Sequence, residues 1–271
     1  MDRLEQIRYL IDILLSELPQ YREQAALVPQ DEAAQRRLLR GLMNLRPPLP
    51  LRGDFLAVQD KLLSEERQAR GVVEAASLPA CARDPQISLW QGDVTRLAAD
   101  AIVNAANSAL LGCFVPCHGC IDNAIHSAAG LQLRDACSRI MAAQGHPEPT
   151  GSAKLTAGYN LPARYVLHTV GPIIRGPLRR EDCELLARCY RACLSLAAEH
   201  ALSSVAFCCI STGEFHFPND KAAAIAVETV EGFLRQTGGG LKVIFNVFKD
   251  GDYALYRALL GADRPAARSD P

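Results

Sequence analysis

The first part of the chain carries its apolar residues at helical spacing. Leu4, Ile7, Leu10, Ile11, Leu14 and Leu15 fall three or four positions apart and so line one face of a helix. A second such pattern runs from Asp31 to Leu42 and opens on an acidic residue suited to cap it. The stretch Arg46-Pro47-Pro48-Leu49-Pro50 cannot continue a helix, because proline lacks the N–H and restricts the residue before it. Phe55 to Ala69 then predicts another helix. Residues 1–75 are expected to form a small helical extension.

From about Pro85 the pattern alternates. Ile87–Trp90, Ala101–Val103, Tyr165–Thr169, Val205–Ile210 and Leu241–Val247 are short apolar runs suited to buried strands. Helical patterns lie between and after them, at Asp122–Ala129, Glu181–His200, Asn219–Gln236 and Asp252–Leu260. The helix over Asn219–Gln236 follows Pro218 and stops at Gly238-Gly239-Gly240, where a left-handed cap is cheapest. Such alternation predicts an α/β domain over 85–262, with a mixed, mostly parallel sheet covered by helices on both faces. The residues that remain, 263–271, are expected to form a disordered tail. In this fold class ligands bind on the loops leaving the carboxyl ends of strands, here Gln91–Arg96, Asn104–Asp122 and Ser211–Pro218.

Composition narrows the function classes. With 271 residues, 49% of them hydrophobic, the chain can bury one sizeable core with an appendage, or two small domains. A net charge of −1 argues against a nucleic-acid or anionic membrane surface, both of which select excess Lys and Arg. The first residues, MDRLEQIRYLIDILLSELP, are charged throughout, with no apolar h-region, so no signal peptide is expected. No run reaches the roughly 20 apolar residues of a membrane-spanning helix, and a cytoplasmic protein is expected. Ten cysteines in such a protein are thiols, metal ligands or nucleophiles, not disulfides. Cys189 and Cys193, four apart on a helix, and Cys208 and Cys209, ending a strand, read as small buried hydrophobes. The exceptions lie between Cys113 and Cys120.

Three loop segments carry candidate chemistry. Leu89-Trp90-Gln91-Gly92-Asp93-Val94-Thr95 runs a strand into a Gly-Asp turn, and Ile102-Val103-Asn104-Ala105-Ala106-Asn107-Ser108 ends a strand in two asparagines. Ile210-Ser211-Thr212-Gly213-Glu214-Phe215-His216-Phe217-Pro218 leads from a strand to a helix start, a backbone able to cradle a diphosphate with free N–H groups. Each segment alone is equally plain turn chemistry. Together with Asp122-Asn123-Ala124-Ile125-His126 and Val243-Ile244-Phe245-Asn246-Val247-Phe248, they resemble the macrodomain family over roughly Gln86 to Leu260. The resemblance implies a three-layer α/β/α sandwich binding ADP-ribose at its strand ends. It implies that Asp93 accepts the adenine amino group, Val94 contacts the adenine pocket and Phe248 lies near the adenine. It further implies that Asn104 and Asn107 hold the distal ribose, and that Ser211, Thr212, Gly213, Glu214 and Phe215 wrap the diphosphate.

One loop departs from the common pattern. Where macrodomain hydrolases usually carry a run of glycines, this chain reads Gly112-Cys113-Phe114-Val115-Pro116-Cys117-His118-Gly119-Cys120-Ile121-Asp122. Cys113, His118 and Cys120 offer the thiolate and imidazole donors that Zn²⁺ prefers and leave a fourth position open for water or a substrate oxygen. This resembles the zinc-dependent macrodomains, which also carry a helical N-terminal extension. In bacteria these often accompany a sirtuin-type ADP-ribosyltransferase that modifies a lipoyl-carrier protein. Cys117 could complete a closed Cys₃His site, but in the family that position is not a ligand, so it is left out.

The resemblance implies a zinc-dependent protein-ADP-ribosylhydrolase that removes mono-ADP-ribose from Asp/Glu-linked protein side chains. Zinc would act on the attacking water or on a ribose hydroxyl; Asn107 would fix the ribose and Asp122 would serve as general base or as a partner of the metal. Plainer readings stand beside these: Asp122 as a helix cap, Asn104 and Asn107 as turn residues, His126 and His168 as satisfied buried histidines, His216 as undecided between loop and ligand. The competing functions are an ADP-ribose reader without catalysis, an O-acetyl-ADP-ribose deacetylase in the same cleft, and a zinc-stabilised interaction protein that would not bind ADP-ribose.

Overall fold

The computed structural model describes residues 1–261; residue 262 and the tail expected over 263–271 lie outside the described residues. The chain opens with four helices, α1 (Arg3–Glu17), α2 (Arg22–Ala26), α3 (Glu32–Leu45) and α4 (Gly53–Arg70). Asp2 caps α1 through its carboxylate to the Glu5 N–H at 2.8 Å, and the Glu5 carboxylate returns to the Asp2 N–H at 2.7 Å. The apolar stripe foreseen for α1 packs Ile7, Leu10 and Leu14 against Leu39 and Leu42 of α3 and Phe55 and Leu62 of α4. Each such side chain contributes roughly 1.5–3 kcal/mol when fully buried. Leu131 also belongs to this cluster, so the helical segment and the rest of the chain share a core.

The remaining elements, in order, are β1 (Val73–Glu74), β2 (Ile87–Gln91), β3 (Leu97–Ala98), β4 (Ala101–Ala105), α5 (Ile121–Ala129), α6 (Leu131–Gln144), β5 (Ala153–Ala157), β6 (Tyr165–Thr169), α7 (Arg180–Glu199), β7 (Ser204–Phe207), α8 (Asn219–Thr237), β8 (Lys242–Val247) and α9 (Asp250–Leu260). Six strands form one sheet in the order β2-β8-β7-β4-β6-β5, and β1 pairs with β3 as a short parallel ribbon. Every neighbouring pair in the large sheet is parallel except β5 with β6. Strand periodicity divides the core: Val103, Leu167, Phe207 and Phe245 face α7, α8 and α9, whereas Ile102, Val166, Ala206 and Ile244 face Ile125 of α5 and Leu133 of α6. The fold is the three-layer α/β/α sandwich with a mixed, mostly parallel sheet, preceded by helices.

Five elements escape the hydrophobic pattern: the short α2, β1 (within the segment expected to be helical) and β3, together with α6 and β5. α6 buries Arg134 beside Leu131, Leu133 and Cys137, which breaks its apolar stripe, and β5 is an edge strand with one face half exposed. The run Val205–Ile210 leaves the sheet after Phe207, so Cys208 and Cys209 already belong to a loop. Cys189 and Cys193 are fully buried core residues, as their spacing suggests. No helix among the described residues is long and apolar enough to cross a membrane.

Candidate functional site

The loops that leave β2, β4, β7 and β8 enclose a cleft of about 670 Å³ at the carboxyl ends of those strands. The turn after β2 contributes Asp93 and Val94, and the loop after β4 contributes Asn107, Cys113, His118 and Cys120. Asp122, in the first turn of α5, also lines the cleft. So do Ser211, Thr212, Gly213, Glu214 and Phe215 after β7, and Phe248 after β8. Asn104 does not. It is fully buried, and its amide donates to Asp122 Oδ1 at 2.8 Å and lies 3.2 Å from His168 Nδ1. In this position Asn104 supports Asp122 from beneath, while its own Oδ1 has no hydrogen-bond partner among the described residues.

Asp93 caps the turn over Val94–Arg96. Its Oδ1 accepts from the Thr95 N–H at 2.9 Å and the Thr95 hydroxyl at 2.7 Å. Its Oδ2 receives Arg70 Nη1, from the end of α4, at 3.2 Å. Arg70 therefore reaches a residue of the cleft wall from the helical extension, which no local pattern foretells. The turn is tied down from β8, where Asn246 Nδ2 donates to the Gly92 carbonyl at 2.9 Å.

The loop after β4 is shaped by two tight approaches. Gly112 has φ +80, and a Cβ there would lie 2.8 Å from the His126 ring, so neither its backbone nor its surroundings admit a larger residue. Beyond it, the ligand atoms of Cys113, His118 and Cys120 all lie within 4.8 Å of one another. Cys113 Sγ is 3.7 Å from His118 Nδ1. The other ring nitrogen of His118 lies 3.7 Å from Glu214 Oε1, the arrangement in which a carboxylate orients a metal-binding imidazole. Burial first, and the nearby Cys113 among lesser causes, push the Cys120 thiol up to about 12, partly offset by the Asn123 N–H that Sγ caps. A divalent cation reverses that preference, because it stabilises the thiolate directly. Cys117 takes no part: with φ +53 it turns its Sγ to the Arg37 carbonyl of α3 at 3.4 Å.

Asp122 is 5% exposed, and burial raises its carboxyl to about 6 against the lowering effects of the Asn104 amide and Arg134. Asn107 Nδ2 bridges the Gly112 carbonyl at 3.1 Å and Asp122 Oδ2 at 3.4 Å, so one amide joins the loop to the carboxylate. Below it, His126, Cys137 and His168 form a second group whose donor atoms lie within 4.8 Å of one another, all buried. Burial pushes the Cys137 thiol up to about 12 and His168 down to about 3, so they stand as thiol and neutral imidazole. His168 Nε2 is 2.9 Å from Thr156 Oγ1. The ring nitrogens of His126 have no hydrogen-bond partner among the described residues, and Nε2 faces Asp122 Oδ1 at 3.5 Å.

The loop after β7 folds on itself. The His216 N–H donates to the Gly213 carbonyl at 3.0 Å and the Phe217 N–H to the Ser211 carbonyl at 3.0 Å. The N–H groups of Gly213, Glu214 and Phe215 have no acceptor among the described residues and are free for an anion. Ser211, at φ +66, packs its Oγ against Gly171, where a Cβ would come within 1.9 Å. Gly171, which also lines the cleft, lies outside the three segments that the sequence singles out. Phe248 is 76% exposed, leaving a ring face open at the cleft. The arrangement offers soft metal donors, a carboxyl group that ionises near neutrality, an anion-binding backbone and an aromatic platform.

Comparisons with known proteins converge on one description. Residues 103–226 match the family model described as Macro domain. A protein-ADP-ribose hydrolase from Treponema medium is 51% identical over 262 residues, which cover 96% of this chain and all of that protein. A protein-ADP-ribose hydrolase from Staphylococcus aureus (strain MSSA476) is 52% identical over 227 residues, 83% of this chain and 85% of that protein. The crystal structure of the Trypanosoma brucei macrodomain in complex with ADP-ribose superimposes with a TM-score of 0.64 at 36% identity, covering 82% of this chain and 95% of that one.

Proposed function

Because this chain belongs to the Macro domain family and is a hydrolase, we propose that it removes mono-ADP-ribose from the Asp or Glu side chains of a modified protein, as a zinc-dependent enzyme. The observation that carries this reading is the meeting of Cys113, His118, Cys120 and Asp122 at the wall of one cleft. Two thiols and an imidazole are the donor set of a zinc site with an open position, and their donor atoms already lie within 4.8 Å of one another. The Glu214 carboxylate behind His118 fits the same reading.

The residues then divide the work. Asp93 and Val94 take the adenine, with Phe248 against its face, and the free N–H groups of 213–215 take the diphosphate beside Ser211 and Thr212. Asn107 fixes the distal ribose. Cys113, His118 and Cys120 would hold Zn²⁺, which would supply a Lewis acid able to acidify a bound oxygen. Asp122 accepts a proton from the attacking water as its oxygen bonds to C1″; the bond from C1″ to the side-chain carboxylate breaks, releasing that carboxylate and ADP-ribose. A carboxyl group that ionises near neutrality suits a general base at physiological pH. Asn104, from below, holds the orientation of the Asp122 carboxylate. A sirtuin-type ADP-ribosyltransferase acting on a lipoyl-carrier protein is the proposed source of the substrate.

The test compares ADP-ribose release from an Asp/Glu-modified protein by the wild type, the Cys113→Ala variant and a chelated sample. Loss of activity in the last two is expected. Equal activity in all three would remove the metal from the mechanism, and tight ADP-ribose binding without release would make the protein a reader.

A further inference from the structure

The metal-binding loop does not hold its own shape. Between Cys113 and Cys120 the described residues provide one backbone hydrogen bond within the loop, from the His118 N–H to the Val115 carbonyl at 3.2 Å. The loop is otherwise tied to side chains outside it, and several of these belong to α3 of the N-terminal extension. Asn44, 2% exposed, accepts the Cys117 N–H on its Oδ1 at 2.9 Å and donates from Nδ2 to Ser127 Oγ at 3.0 Å. Ser127 Oγ in turn donates to Asn123 Oδ1 at 3.2 Å. Arg40 reaches the same Asn123 Oδ1 at 2.8 Å and the carbonyl of His118 at 3.4 Å. Asn123, fully buried, closes the circuit by donating from Nδ2 to the Val115 carbonyl at 3.0 Å.

These contacts fall among the ligands. Val115 and Cys117 lie between Cys113 and His118, and the carbonyl held by Arg40 is that of a ligand residue itself. Cys117 faces away from the cleft because its N–H and thiol are both spent on α3. That turn requires the left-handed backbone at Cys117, which a non-glycine residue adopts only when its surroundings hold it there. We infer that Arg40 and Asn44 of the helical extension, acting with Asn123, position the loop for metal binding, so that the extension is part of the metal site although it supplies no ligand. The inference rests on the zinc reading above. Its physical basis is that losing a group that holds metal ligands in place typically costs roughly 10- to 100-fold in metal affinity.

The experiment reads zinc itself. Zinc content and the rate of zinc transfer to a colorimetric chelator are measured for the full-length wild type, Asn44→Ala, Arg40→Ala and Arg40→Lys, alongside thermal melts of the metal-free proteins. The two alanine variants are expected to release zinc roughly 10- to 100-fold faster than the wild type, with Arg40→Lys intermediate and the metal-free melts of the Arg40 variants unchanged. Arg40 is only half-buried, so its variants decide the question if Asn44→Ala fails to fold. In cobalt-substituted protein, the thiolate-to-metal absorption of the Arg40→Ala variant is expected to shift from that of the wild type. Release at the wild-type rate by a folded Arg40→Ala variant, with an unshifted cobalt spectrum, would overturn the inference and leave the zinc reading intact. A wild type that takes up no zinc would overturn the zinc reading itself, and the inference with it.

Discussion

Two clusters of cysteine and histidine lie near each other in this molecule, each with three donor atoms within 4.8 Å. Cys113, His118 and Cys120 are half-buried on a loop at the cleft, while His126, Cys137 and His168 are enclosed beneath it. In both, burial pushes a thiol up to about 12, so neither thiol is ionised in the absence of a cation. What separates them is access. The loop cluster opens on a cavity through which a hydrated ion can enter and shed its water, and His118 turns one nitrogen toward it and the other toward Glu214. In the enclosed cluster His168 stands between Asn104 and Thr156. Donor chemistry alone therefore does not distinguish the two clusters; access from the cleft does.

The comparison breaks first at the loop. Replacing Cys120 by alanine, or chelating the metal, is expected to abolish bound zinc and lower ADP-ribose release by more than the roughly 10- to 100-fold that outer partners of a metal cost. Metal analysis and product release measure it, and a Cys120→Ala variant that keeps its zinc would dissolve the distinction. The next largest effect concerns the enclosed cluster and pH. His168 is held neutral down to about pH 3, against 6.5 when exposed, so the unfolded chain takes up its proton first as pH falls. The stability it supports is thus fully present above pH 6.5 and is lost toward pH 3, at about 1.4 kcal/mol per pH unit for one such group. Urea titrations of metal-free protein between pH 7 and pH 5 are expected to show a shallower dependence for His168→Gln; an unchanged slope would contradict the burial argument.

A smaller effect follows from Cys137. Its serine variant is expected to retain the full complement of zinc while losing about 1 kcal/mol of stability, the ordinary cost of a polar change in a core. Metal analysis paired with a thermal melt checks this, and loss of zinc would assign the enclosed cluster a metal after all. The smallest belongs to Arg70. Its pairing with Asp93 is largely exposed, a class worth about 0.2–1 kcal/mol, so Arg70→Ala should change ADP-ribose affinity by at most about five-fold. Calorimetric titration would measure it, and a change of a hundred-fold would give Arg70 a direct hand in ligand binding.

Much of this molecule was legible in order along the chain. The stripe from Leu4 to Leu15, the strands at Ile87 and Ala101, and the glycines after α8 are local signals, because helix and strand periodicity and caps depend on neighbours a few residues away. The cleft residues were legible for the same reason: Asp93, Asn107 and Ser211 lie on loops that follow strands, and Asp122 in the first turn of a helix. α6 was missed because its buried Arg134 donates to the carbonyls of Leu111, Met43 and Arg46, partners that no window around it contains.

The sequence by itself determined most of the longer elements, the fold class and the donor types on the loop, since these follow from spacing and side-chain chemistry. Only the tertiary structure decided which donors meet. Cys117 carries the same thiol as Cys113 and Cys120, yet it is drawn to α3 by Asn44 and the Arg37 carbonyl. Asn104 carries the same amide as Asn107, yet it is buried beneath Asp122. In each case the deciding contact is a hydrogen bond whose direction is set by packing between distant segments.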